Sequence, residues 1–285
     1  MLRSALLALD TTKASATALK YAIRFCQRQE ERHGQPVKLY GVAVVDRPTI
    51  EKPQAEPIGG LAFKKKRDEK LLEEARKKSI KILDNFEKQC EANDISFSAI
   101  HREGLPHEKI ELASHCHDLI IVGKDTDFHS ETGRKPGETV KHLVRDHPRP
   151  VIVFPDKDPV GNSILIAYGG SIQSSHALHM WALLDIRRED MNIHIVTVNN
   201  RLKQAEEIAA EATALLKHRD IDAIAHPVEA KKSDVFKVLQ EKIDELEPQM
   251  TVMGAFGHGG VKTKFFGTVT QKMLKSCPTP LFLYK

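Results

Sequence analysis

Two α/β domains in tandem, each a doubly wound five-stranded parallel sheet, are the fold this sequence predicts, and three observations carry the prediction. Apolar runs of strand length alternate with amphipathic helical patterns along all 285 residues. Several of those runs are nearly continuous, as strands of a parallel sheet covered on both faces require. The chain also contains itself twice. Ala5-Leu-Leu-Ala-Leu-Asp10-Thr-Thr-Lys-Ala-Ser15-Ala-Thr-Ala18-Leu19 aligns with Ile164-Leu-Ile-Ala-Tyr-Gly169-Gly-Ser-Ile-Gln-Ser174-Ser-His-Ala177-Leu178 at an offset of 159 (169 minus 10). Further on, Gly137-Glu-Thr-Val-Lys-His-Leu-Val-Arg-Asp-His-Pro148-Arg-Pro150 aligns with Gly267-Thr-Val-Thr-Gln-Lys-Met-Leu-Lys-Ser-Cys-Pro278-Thr-Pro280 at an offset of 130 (267 minus 137). Two blocks repeated in the same order mark a duplicated domain.

In the first copy, residues 2–9, 37–45, 95–101, 118–123 and 150–154 read as strands. Between them, Leu19, Ala22, Ile23 and Cys26 share one helical face, and so do Leu72, Ala75, Leu83 and Phe86 within a long Lys/Glu-rich helix over 64–91. The second copy places strands at 163–168, 192–198, 221–228, 249–254 and 280–284. The drop in offset makes the second copy shorter, and the expected loss is the Pro/Gly-rich excursion around 47–63 with part of the helix after it. The polar Pro/Gly stretch Asp156-Lys-Asp-Pro-Val-Gly161 suits a linker, giving domains 1–157 and 160–285.

Composition bounds the function. With 41% apolar and 29% charged residues the chain reads as soluble and globular. No apolar run is long enough to span a bilayer and no leader pattern opens the chain, so a cytoplasmic address with no membrane partner is expected. Cys26, Cys90, Cys116 and Cys277 are scattered and form no Cys-x2-Cys pair, which favours reduced thiols. A net charge of +4, without a basic stripe interleaved with aromatics, gives no reason to expect nucleic acid. In His115-Cys116-His117 the residues are consecutive and point in different directions on a helix, so no metal site is read there. Trp181 reads as packed against the sheet.

The chemistry concentrates in Gly254-Ala-Phe-Gly257-His-Gly-Gly-Val-Lys-Thr-Lys-Phe-Phe-Gly267-Thr268, a Gly-x2-Gly-x9-Gly-Thr pattern between a strand and a helix. Glycines let backbone N–H groups approach an anion. A helix starting near Gly267 would aim its positive end and the Thr268 and Thr270 hydroxyls at the same charge. Lys262 and Lys264 could neutralise terminal phosphates or simply be solvated.

An apolar first strand ending in Asp10, a helix carrying Ala18-Leu19, a strand ending in Gly before a glycine-spaced loop, and a closing Pro-x-Pro-apolar strand together resemble the universal stress protein family, once per half. The resemblance implies a sheet of strand order 3-2-1-4-5 in each half and pairing of domains through the last strand. It also implies adenine held by the Asp that ends the first strand and by backbone at the end of the second, with phosphates in the glycine loop. Residue by residue, the C-terminal half keeps the loop as Met253, Gly254, Gly257, His258, Gly267, Thr268, Val269 and Thr270, but Gly169 replaces the adenine-contacting Asp. The N-terminal half keeps Asp10, and Val44 for the backbone contact, yet its loop is degenerate: Gly123 is followed by Thr126, Gly137 comes one residue late, and Glu138 replaces the hydroxyl residue. A carboxylate where a phosphate should rest repels it by a few kcal/mol, on the order expected at an effective dielectric near 20.

The resulting expectation is a stress-response regulator that binds ATP, with or without Mg²⁺, mainly in its C-terminal half and acts on an unknown protein partner. The tandem could satisfy domain pairing within one chain or dimerise again. No catalytic residue set can be placed, and no metal ligands, so binding without efficient turnover is expected; a weak ATPase with His258 orienting water is one alternative. A non-nucleotide interaction scaffold or small-ligand binder of the same fold is the other.

Overall fold

The computed structural model describes residues 2–53, 61–126, 128, 138–146, 148–255 and 267–285. They form two compact units, one of Arg3–Leu143 and one of Leu2 with Val144–Lys285.

In the first unit, β1 (Ser4–Ala8) leads to α1 (Lys13–His33), β2 (Lys38–Val45), the short α2 (Arg47–Ile50), the long α3 (Leu61–Glu91), β3 (Phe97–Glu103), α4 (Pro106–Ser114), β4 (Leu119–Gly123) and the start of α5 (Glu138–Asp146). β1 lies between β2 and β4, and β2 pairs with β3, all parallel. The apolar runs explain this placement: β4 is buried along its whole length, as is β1 beyond Ser4. At the start of α1, Thr12 accepts a hydrogen bond from Ser15 N. The helix stops where Gly34 takes a left-handed φ of 65°, with Arg32 and His33 favouring the negative end of the dipole.

The second unit carries β5 (Val151–Phe154), β6 (Ser163–Ala167), α6 (Ile172–Leu184), β7 (Asn192–Asn199), α7 (Leu202–Lys217), β8 (Ile224–Glu229), a 3-10 turn at Lys232–Asp234, α8 (Val235–Leu246), β9 (Met250–Gly254), α9 (Thr268–Ser276) and β10 (Leu281–Tyr284). Its parallel order β8-β7-β6-β9-β10 is the 3-2-1-4-5 arrangement, and β3-β2-β1-β4 follows the same order in the first copy. β5 pairs antiparallel with β10, so the last strands of the two copies meet edge to edge, as the resemblance implies.

Strand register fixes which residues of the two copies correspond. Ala8 pairs with Val42, and Ala167 with Val196, so β2 maps onto β7 at an offset of 154 (196 minus 42). Val42 pairs with Ile100, and Val196 with His226, an offset of 126 for β3 and β8. The helices obey the same number: Ser79, Leu83, Phe86 and Cys90 are buried on α3 where Ala205, Ala209, Ala212 and Leu216 are buried on α7. The second copy therefore lacks 28 residues (154 minus 126) between Val45 and Ser79, the excursion and the first part of the long helix. In the first copy that extra segment folds back onto the end of β2, where Ile50 and Leu72 pack on Val45.

Side-chain volume is exchanged between the copies. At Gly41 in β2 an added Cβ would lie 2.7 Å from the Phe86 ring and 2.9 Å from Leu9. Only glycine lets α3 seat its phenylalanine there. The corresponding positions in the second copy, at offsets of 154 and 126, hold Ile195 and Ala212, both fully buried.

Candidate functional site

In each copy the order of strands reverses beside the first strand, and its C-terminal end opens onto the first helix, the position where doubly wound folds bind ligands. In the N-terminal copy, Asp10 follows β1. Its Oδ1 accepts hydrogen bonds from Thr12 N (2.8 Å) and from the Thr12 hydroxyl (2.7 Å), while Asp10 N donates to the Ser15 hydroxyl (3.1 Å). The carboxylate is thus held still by the turn that starts α1. It faces a cleft of about 280 Å³ walled by Thr11, Thr12, Leu19 and, from α3, Lys78, Lys81 and Asn85.

In the C-terminal copy the same turn reads Tyr168-Gly169-Gly170-Ser171. Ser171 caps α6 by accepting from Ser174 N (3.1 Å), just as Thr12 caps α1. Gly170 is left-handed at φ 70°, and a Cβ there would touch Ile208 of α7 at 3.2 Å. At Gly169 a Cβ would meet nothing within 4 Å. The space an aspartate would fill is open.

The fourth strands end alike. Gly123 and Gly254 correspond at an offset of 131, and each lies against the first turn of the first helix of its copy, α1 or α6. A Cβ on Gly254 would approach the backbone of Gln173 and Ser174 to 2.6–2.8 Å, and one on Gly123 the Ser15 N to 2.8 Å. Close helix–strand packing therefore demands the first glycine of the loop pattern. Beyond Gly123 the N-terminal copy turns back on itself: Thr126, 1% exposed, donates from both its N–H and its hydroxyl to the Gly123 carbonyl. This buried hydroxyl belongs to the residue that corresponds in sequence to Gly257, at an offset of 131. Gly137 lies outside the described residues, and Glu138 is the first residue of α5.

In the C-terminal copy, Met253 is buried at the end of β9, and Gly257 and His258, like Lys262 and Lys264, lie outside the described residues. The chain re-enters the described part at Gly267, the N-cap of α9, which has no side-chain cap bond. Thr268 is exposed, Val269 is partly exposed, and Thr270 is 2% exposed, beneath the first turn. A helix start without a side-chain acceptor leaves its first N–H groups to water or to an anion. Those residues fit a phosphate group; the α5 start, with a glutamate as first residue, does not.

Val44 is buried near the end of β2, where the extra segment packs on its neighbour Val45. Its register partner in the other copy is Val198, which sequence blocks alone missed because neither extends into the second strand. His115-Cys116-His117 follows the end of α4 instead of lying on it, and Cys116 Sγ lies 3.7 Å from His117 Nε2. Among the described residues no group of three or more His, Cys, Asp or Glu could hold a metal ion. Trp181 is 1% exposed, in the core.

The model of the universal stress protein family matches residues 162–285. The match covers the C-terminal copy, whose residues are those of the universal stress protein family. A universal stress protein of Synechocystis sp. is 23% identical over 190 residues, which span 67% of this chain and 66% of that protein, just under two thirds of its length. Among solved structures, a universal stress protein from Archaeoglobus fulgidus superposes with a TM-score of 0.66 at 19% identity, covering 99% of this chain and 98% of its own. A functionally unknown protein from Pseudomonas aeruginosa PAO1 gives 0.56 at 16% identity, covering 100% and 92%. At these identities the likeness is one of fold: a tandem universal stress protein fold, with a second similar half. No helix among the described residues is long and apolar enough to cross a membrane.

Proposed function

We propose that this chain as a whole is a universal stress protein, a nucleotide-dependent regulator that holds ATP in its C-terminal half. The observation that carries the reading is the start of α9: Gly267 caps it without a side-chain acceptor and Thr268 stands exposed beside it. Met253, Gly254, Gly257, His258, Gly267, Thr268, Val269 and Thr270 form the phosphate side of the site. Gly169 and Val198 border the nucleoside, and the space beside Gly169 admits a base. Mg²⁺ would accompany the phosphates. The N-terminal half, with Thr126 where the pattern has glycine and Glu138 at the helix start, keeps Asp10, Val44, Gly123 and Gly137 as remnants and serves as scaffold. Occupancy biases the protein toward one partner-binding state, acting in the cytoplasm without rapid turnover. The domains are 1–157 and 160–285, and the β5–β10 pairing supports a chain whose pairing is satisfied internally.

Calorimetric titration of the full chain with ATP and Mg²⁺ tests the proposal. Saturable heat that disappears in Gly267→Val is expected. Neither heat nor a thermal shift at millimolar nucleotide would refute it.

A further inference from the structure

The helix that walls the Asp10 cleft and its counterpart in the second copy carry opposite charge. Offsets of 159 for the first turn and 126 for the following helix map the wall of Asp10, Thr12, Lys78, Lys81, Ile82 and Asn85 onto Gly169, Ser171, Gln204, Glu207, Ile208 and Glu211. The Ile208 contact with the Gly170 position confirms the mapping in space, since Ile82 and Thr11 line one cleft in the first copy. Where the first copy has an aspartate in the turn and two lysines on the helix, the second has a glycine in the turn and two glutamates on the helix. The carboxylate lost from the strand end is regained from α7.

We propose that Glu211 is the nucleoside-reading residue of the C-terminal half, its carboxylate accepting the hydrogen bonds of the nucleoside's N–H or O–H donors in place of the aspartate absent at 169. This rests on the nucleotide reading of the same site. Glu211 lies one turn beyond Ile208, on the same face of α7. It is close enough to Tyr168, the residue before Gly169, to act on its ionisation: burial raises the phenol's pKa, a hydrogen bond with Ser175 opposes, and the Glu211 charge raises it further. Glu207 is one turn before Glu211 and adds to the same negative field. Because β6 has β7 on one side and β9 on the other, these carboxylates belong to the β7 side of β6, away from β9. They repel phosphates from α7 and favour the orientation that seats them at α9.

The test is calorimetry on the full chain and its Glu211→Gln variant with ATP, ITP and inorganic tripolyphosphate, with melting curves as the folding control. Glu211→Gln should weaken ATP by about tenfold, the loss of one charge-assisted hydrogen bond, and leave tripolyphosphate and the melting temperature unchanged. In a Gly169→Asp background the same change should have less than about a twofold effect, because the restored aspartate takes the role. An equal ATP loss in ITP would assign the contact to the ribose; a smaller one, to the adenine amino group. Unaltered ATP affinity in Glu211→Gln would overturn the inference while leaving ATP binding intact. Wild-type protein that binds neither ATP nor tripolyphosphate would overturn the nucleotide reading itself, and this inference with it.

Discussion

Replacing Gly254 with alanine separates a glycine kept for packing from one kept only to admit a ligand. The added Cβ would lie 2.6 Å from the Gln173 carbonyl carbon, 2.7 Å from Ser174 N and 2.8 Å from Gln173 O. Carbon atoms in ordinary contact sit about 3.5–4.0 Å apart, so the overlap approaches 1 Å. All three atoms are backbone of the α6 region, and no side chain can swing away to relieve them. Strand or helix must move, a strain at the upper end of the ~1–3 kcal/mol typical of overpacking. At roughly 2–4 °C per kcal/mol for a protein of this size, the melting transition of the C-terminal unit should fall by about 6–12 °C. Gly123→Ala should fall less, because its contacts are 2.8, 3.0 and 3.0 Å. Gly169→Ala is the control: its Cβ meets nothing within 4 Å, and the stiffer unfolded chain should add about 0.4–1 kcal/mol. Differential scanning calorimetry of the three variants, without ligand, measures all of this. A Gly254→Ala protein that melts with wild type, or a Gly169→Ala protein that falls as far, would refute the packing argument.

Phe86→Ala should destabilise the N-terminal unit by about 3–5 kcal/mol in urea denaturation, and Gly41→Ile should do so by overpacking; combined, they should recover part of the loss, as Ile195 and Ala212 already coexist in the other copy. Burial pushes the Cys26 and Cys90 thiols up to about 12, and Cys277 is buried while Cys116 is exposed. A disulfide reagent at pH 8 should therefore titrate one thiol rapidly in native protein and four after denaturation; a second fast thiol would contradict the burial. His194 Nδ1 and His226 Nε2 lie 2.9 Å apart across β7 and β8, and burial lowers both pKa values, with Lys242 of α8 lowering and Glu245 opposing. The unfolded chain then binds more protons below the ordinary value of 6.5, so stability is full above that pH and is lost as pH falls toward the depressed native values. Melting temperature should decline from pH 7 to pH 5, and His226→Gln should flatten the decline.

The ten strands among the described residues are legible in the sequence, most plainly where nearly unbroken apolar runs such as Leu119–Gly123 leave a parallel, doubly covered sheet as their simplest home. The tandem arrangement is legible from two repeated blocks. The blocks bracket the glycine-rich segment and the first turn but stop short of α7, where the 28-residue difference breaks the alignment. Glu207 and Glu211 become visible as counterparts of Lys81 and Asn85 only through strand register and the buried faces of the helices. Glycine is ambiguous in sequence for a similar reason. Gly254 excludes a side chain by contact, Gly170 by its left-handed backbone, and Gly169 by neither, yet all three are written the same way. The burial of Thr126 depends on a hydroxyl reaching a carbonyl three residues back, which residue type alone does not dictate.

Gly41 beneath Phe86, with Ile195 and Ala212 at the corresponding positions, bears on how a chain made of two related halves avoids folding onto itself wrongly. During synthesis α3 and β2 emerge before β7 and α7, and each helix meets sheet surfaces of similar pattern. Docking α3 on β7 would drive the phenylalanine into an isoleucine, and docking α7 on β2 would leave alanine facing glycine across an empty space. Each crossed pairing fails in the opposite way, one by collision and one by a void, so the duplicated chain distinguishes its halves by shape at a single pair of core positions.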